Sequence, residues 1–153
     1  MVEKFKKFTI KDSTFDIEKV DFKTLKNARS PIIFDTNFLF MTFEFKIDLI
    51  SQIQRLLSSN NNFYIYEGTI SELESVERKG DKNKKFLPLI VKMLHLYNFK
   101  IIKSNQRYVD DQILENLDKK IIIATNDKVL KQTIQKKGFK IMYSRQKSYL
   151  EIN

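Results

Sequence analysis

The stretch Pro31-Ile32-Ile33-Phe34-Asp35-Thr36-Asn37 decides the fold. A run of consecutive apolar residues reads as a strand buried on both faces, and proline is tolerated at the first residue of a strand. An aspartate stands directly behind the run. Two further apolar runs end close to aspartates. Phe99-Lys100-Ile101-Ile102 precedes Asp110 and Asp111, and Ile121-Ile122-Ile123-Ala124 precedes Thr125-Asn126-Asp127. In a parallel α/β sheet, groups just beyond the carboxyl ends of the strands converge on one crevice. Carboxylates that converge repel one another. A hard divalent cation is the usual compensation, because oxygen ligands suit Mg²⁺ or Mn²⁺.

Segments with helical spacing alternate with these runs. Ile47, Ile50, Ile53, Gln54 and Leu57, widened by Leu49 and Leu56, predict a helix over 46–58. Residues 63–66 read as a strand, and Thr69-Ile70-Ser71-Glu72 opens a short helix. A polar loop at 80–85 leads to helices over 86–98 and 108–117. A last helix over 127–137 has Gly138 at its C′ position, before a strand at 139–143. The alternation implies a three-layer α/β/α domain around a parallel sheet of about five strands. Its expected span is 31–147, followed by a tail at 148–153. Residues 1–30 read as an N-terminal extension with a short helix near 21–28, docked on the core through Phe8, Ile10, Phe15, Ile17, Val20, Phe22 and Leu25.

Composition narrows the chemistry. The 153 residues are 42% hydrophobic and 31% charged, which excludes a disordered chain. There is no cysteine, so thiolate zinc sites and cysteine nucleophiles are excluded, and the single His95 argues against zinc hydrolase chemistry and reads as structural. No apolar stretch approaches the ~20 residues that span a bilayer, and no apolar signal core follows the basic N-terminus. The expectation is a cytoplasmic protein. Its net charge of +9 favours a polyanionic partner, for which the phosphate backbone of nucleic acid is the commonest choice.

Each acid has a bland explanation when taken singly. Asp35 could be an N-cap or turn residue. Glu72, three residues after Thr69, has capping-box spacing. Asp110 and Asp111 suit a first helical turn, and Asp127 again stands at a helix start. Four independent placements at the carboxyl end of one sheet are much harder to explain that way, above all in a basic protein.

These residues resemble the PIN-domain ribonucleases. The likeness rests on Asp35-Thr36-Asn37, Ser71-Glu72-Leu73-Glu74, Val109-Asp110-Asp111-Gln112-Ile113-Leu114 and Ala124-Thr125-Asn126-Asp127-Lys128. The ending from Gly138 to Lys147 looks like the archaeal branch related to the rRNA-processing PIN nucleases. The resemblance covers about residues 31–147 and implies a PIN-like fold. It further implies a site of three or four acids binding Mg²⁺ or Mn²⁺: Asp35, Glu72, Asp110 or Asp111, and Asp127, with Thr36, Asn37, Thr125 and Asn126 as neighbours. Helical phase against Ile113 and Leu117 favours Asp110, whereas the family's Asp-x-Ile-Leu reading favours Asp111, so both stay open.

The function so implied is a metal-dependent endoribonuclease acting in RNA (rRNA) processing. The alternatives are the toxin of a toxin–antitoxin pair and a non-catalytic RNA-binding scaffold. Basic residues would hold the substrate, with Lys128, Lys131, Arg145 and Lys147 as candidates beside Asn37, Thr125 and Asn126, and further lysines at 79, 82, 84 and 85. RNA is the expected partner, with a homodimer and a protein inhibitor or processing-complex subunit as further expectations. Tyr and Phe are plentiful, but most must be core, so base stacking is not assignable from the sequence.

Overall fold

The computed structural model describes residues 5–10, 13–57, 60–104 and 108–153. All five expected parallel strands are present: β3 (Pro31–Phe34), β4 (Asn62–Tyr66), β5 (Lys100–Ile102), β6 (Ile122–Ala124) and β7 (Ile141–Arg145). Three more join them: β1 (Phe5–Ile10), β2 (Ser13–Val20) and β8 (Tyr149–Ile152). The order is β1-β2-β5-β4-β3-β6-β7-β8. Pairing is parallel from β2 to β7 and antiparallel only in the two hairpins, β1–β2 and β7–β8.

Strand residues alternate between two cores, because successive side chains leave opposite faces of a sheet. Ile32, Phe34, Ile65, Ile101, Ile122, Ala124 and Met142 pack on one face, beneath α1 (Thr36–Glu44), α2 (Leu49–Leu56), α3 (Glu67–Lys79) and α4 (Leu87–Leu96). Ile33, Tyr64, Tyr66, Ile102, Ile123 and Ile141 pack on the other, beneath α5 (Val109–Glu115), α6 (Lys128–Lys136) and Leu25 of a 3-10 turn at Phe22–Asn27. These are the three expected layers. Gly138 follows α6 at φ +84°, a conformation that side chains disfavour and that closes the helix.

The sequence reading and the structure part at four places. No helix was expected over 36–44, yet α1 is there. Its Phe38, Leu39, Phe40, Met41 and Thr42 are all buried, so it carries no polar stripe for periodicity to detect. The helix expected over 46–58 is shorter, Ser58 lies outside the described residues, and Gln54 faces solvent. Residues 148–153, expected as a tail, contain the edge strand β8. The sheet exceeds five strands because the N-terminal segment enters it: Lys19 and Val20 of β2 pair with Ile101 and Ile102 of β5. The side chains of Phe8 and Ile10, expected to help dock that segment, lie outside the described residues.

The edge at β8 is covered from the side. Gln52 Oε1 accepts the Leu150 N–H at 3.1 Å, and the Arg55 guanidinium donates to the Leu150 carbonyl. Two side chains of α2 thus satisfy the outward backbone groups that would otherwise invite another strand.

Candidate active site

Backbone register places the first acid. Phe34 of β3 faces Ala124 of β6, and the ladder continues one step, with the Asp35 N–H donating to the Ala124 carbonyl at 2.9 Å. Asp35 and Thr125 therefore leave two neighbouring strands side by side. Thr125 Oγ1 donates to Asp35 Oδ2 at 2.9 Å and accepts the Asp127 N–H at 3.1 Å. Asp35 is 4% exposed and Thr125 fully buried. One hydroxyl thus fixes the carboxylate of the first acid and the backbone of the last. Asp35 occupies the N-cap position of α1, but its side chain makes no cap bond to the helix. It is turned to Thr125 instead.

Burial pushes the Asp35 pKa up to about 6, with smaller upward contributions from the Asp110 and Glu72 charges and opposition from the Thr125 hydroxyl. Glu72 is raised by burial, opposed by a hydrogen bond from the Thr36 hydroxyl, and raised further by Asp110. The residue as a whole keeps substantial exposure, so water screens its charge more than it screens that of Asp35. Asp110 is raised by burial, then by Asp127 and Asp111. The charges of Asp35, Glu72, Asp110 and Asp127 are therefore linked through Asp110. Asp111 acts on Asp110 alone among the shifts described. The charge of Asp110, rather than that of Asp111, raises Asp35 and Glu72.

The capping-box reading of Glu72 is corrected. Helix α3 begins at Glu67, capped at Tyr66, so Thr69 lies inside its first turn and not at its N-cap. The Thr69 hydroxyl is buried and bonds Thr36 Oγ1 at 2.9 Å. An ionised Glu72 only accepts, so Thr36 donates to it and Thr69 donates to Thr36. Asp127 does cap its helix: Oδ1 accepts the Leu130 N–H at 2.7 Å. Asn126 was expected at the substrate. Its side-chain amide is instead engaged by Ser144, donating to Oγ at 2.7 Å and accepting the Ser144 N–H at 2.9 Å. It ties the approach to α6 onto β7. Asn37 is exposed at the start of α1.

A family model described as a PIN like domain matches residues 32–147. The chain belongs to the PIN-like domain family. It is 33% identical to ribonuclease VapC4 of Methanocaldococcus jannaschii over 124 residues, 79% of this chain and 95% of that protein. Among solved structures it is similar to the PIN domain endonuclease Utp24, with a TM-score of 0.63 and 25% identity over 80% of this chain and 90% of that one.

The acids of this PIN-like domain suit a hard cation in kind. All are oxygen donors, and three have pKa values raised partly by mutual repulsion. Among the described residues no three such groups close on one point as a ready-made cage. Mg²⁺ does not require one, because it keeps several waters and is commonly held by one or two carboxylates. The four acids stand just past the carboxyl ends of β3 and β6 or in the helices that follow β4 and β5. A cavity of about 560 Å³ lies elsewhere, lined by Asn62 and Lys100 at the beginnings of β4 and β5 and by His95, and none of the acids lines it. His95 is exposed there, away from the acids.

The expected basic residues differ in setting. Lys128 is exposed in the first turn of α6. Lys131 Nζ sits 4.5 Å from the centre of the Tyr143 ring and Lys147 Nζ 5.4 Å from that of Phe45. Arg145 lies 3.7 Å from Glu151 and is half exposed. Sequence reasoning missed Tyr66, whose buried hydroxyl donates to the Gln112 carbonyl at 3.4 Å, beneath the helix that carries Asp110. A tyrosine inside an apolar strand offered no signal of that contact.

Proposed function

We infer that this chain is a metal-dependent endoribonuclease that hydrolyses RNA phosphodiesters. The observation that carries the reading is the linked set Asp35, Glu72, Asp110 and Asp127 at the carboxyl end of the parallel strands, with Asp35 buried and fixed by Thr125. Family membership supports it, as do the names of two relatives, a ribonuclease and an endonuclease. Asp35, Asp110 and Asp127 would hold the cation, directly or through the waters it keeps, with Glu72 beside them. When bound, Mg²⁺ or Mn²⁺ supplies the positive charge that acidifies an attacking water and offsets charge on the phosphoryl oxygens.

The chain's own residues orient and exclude. Thr125 holds Asp35 in one position, so that carboxylate is preorganised. Thr36 and Thr69 do the same for Glu72. The chain's positive charge draws RNA toward a crevice that is itself negative until a cation enters. We place this activity in the cytoplasm and assign it to RNA processing. The likeness to ribonuclease VapC4 favours a second reading, the toxin of a toxin–antitoxin pair with a protein inhibitor. Induced expression separates the two, because a toxin arrests growth and a co-expressed small neighbouring frame relieves the arrest.

The decisive experiment incubates purified protein with labelled RNA and Mn²⁺, Mg²⁺ or EDTA. Internal cleavage with either metal, lost in EDTA and in Asp35→Asn or Asp127→Asn, is the expected result. Cleavage that persists in both folded variants overturns the assignment of these acids.

A further inference from the structure

Among the described residues, six large apolar side chains are strongly exposed. Leu89, Leu96 and Tyr97 belong to the α4 region, and Phe5 lies on edge strand β1. The remaining two are the most exposed of all, Tyr108 at 82% and Val129 at 74%. Single exposed apolar groups need no explanation, but the placement of these two is not random. Tyr108 is the N-cap of α5, two residues before Asp110, and Val129 is the second residue of α6, two after Asp127. Val109 at the start of α5 and Leu130 in the first turn of α6 pack into one core cluster on the same face of the sheet, so the two helix entries share that face. The two most exposed apolar groups therefore each stand two residues along the chain from one of the acids.

We propose that Tyr108 is a stacking platform for one unpaired base of the substrate, which registers the neighbouring phosphodiester against Asp35 and Asp110. The proposal rests on the ribonuclease reading and adds a positioning residue to it. A tyrosine ring offers a flat apolar face to any base, with only two side-chain torsions to immobilise. Two residues span at most about 7 Å of backbone. A base on Tyr108 thus belongs to the nucleotide at the acids or to its immediate neighbour. Attraction between the chain's +9 charge and phosphates has no such register. Stacking supplies it, and a base held in a duplex has no free face to offer.

The chain contains no tryptophan, so Tyr108→Trp creates a sole reporter. In EDTA, where the RNA stays intact, a single-stranded oligoribonucleotide should quench its fluorescence, and a blunt duplex of the same sequence should not. Tyr108→Ala should weaken single-strand binding roughly tenfold to a hundredfold, the range of a lost base–aromatic stack. It should raise KM more than it lowers kcat, and leave Mn²⁺ affinity by calorimetry and the melting temperature unchanged. Tyr108→Phe should restore binding. Parent-like affinity and KM in Tyr108→Ala overturn the proposal, as does equal quenching by the duplex or failure of the Phe variant to rescue. The two readings fail separately. Quenching without cleavage in any metal removes the nuclease reading and keeps the stack, whereas metal-dependent cleavage unaffected by Tyr108→Ala does the reverse.

Discussion

Desolvation works against the charge of Asp35, which burial, Asp110 and Glu72 push up to about 6 while Thr125 opposes. The unfolded chain ionises this group near 3.8. Between those values the folded protein binds the extra proton, so stability without metal falls as pH rises from about 4 to about 6 and stays lower above that window. Asp35→Asn removes the ionisation and should flatten this slope, with a gain of at most about 3 kcal/mol at pH 8. Denaturant unfolding in EDTA at pH 4.5, 6 and 8 measures it, and identical slopes in parent and variant would refute the electrostatic account. Thr125→Val should act in the opposite sense. It strips a buried carboxylate of its donor and the Asp127 N–H of its acceptor, a loss of about 1–3 kcal/mol, and it should weaken Mn²⁺ binding in calorimetry. At this scale the sequence was legible where chemistry and position coincide. Asp35 stands directly behind an apolar run, and Asp127 three residues beyond the end of another. The roles of Thr69 and Asn126 were not legible, because a hydroxyl or amide shows its partner only once helix phase and strand register bring the two together.

At the scale of elements, apolar runs revealed strands and amphipathic spacing revealed most helices. Helix α1 escaped because it is buried nearly all round, and β8 because four residues beside a turn look like any chain end. Its pairing is visible only with α2 in place. Gln52 and Arg55 of that helix occupy the outward backbone groups of Leu150. Replacing both with alanine should lower unfolding free energy by about 1–2 kcal/mol and expose a bare strand edge. Denaturant midpoints and light scattering on storage report the two effects. A destabilised variant that stays monodisperse would show that the edge is protected by something else. The N-terminal segment was read as an extension, whereas its second strand continues the parallel sheet. Lys19 at the end of that strand pairs with Glu67 at 3.1 Å, joining it to the start of the helix that carries Glu72.

The chain as a whole is positive, +9, whereas the linked acids at the carboxyl ends of the strands are negative, and this division separates binding from chemistry. Asp35→Asn protein should keep its RNA affinity, which should fall steeply with salt as phosphate contacts release counterions. Neutralising Lys128, exposed beside Asp127, should lower the slope of log affinity against log salt by roughly one contact. It should not change the metal requirement of an otherwise parental protein. Filter binding at four or five salt concentrations tests this, and an affinity indifferent to salt would point away from the phosphate backbone. Fold class was readable at this scale because two-sided burial leaves long apolar runs. Strand order was not, since nothing local in the run at 31–34 says that its neighbours are the strands at 62–66 and 122–124.

The bond between Thr125 and Asp35 joins residues 90 positions apart. A nascent chain that has emerged only as far as α5 already carries Asp35, Glu72 and Asp110, yet lacks the strand that buries and orients the first of them. The set of acids is thus completed and oriented only after β6 and the residues behind it have emerged. A translation product cut short before β6 should be harmless to the message that encodes it.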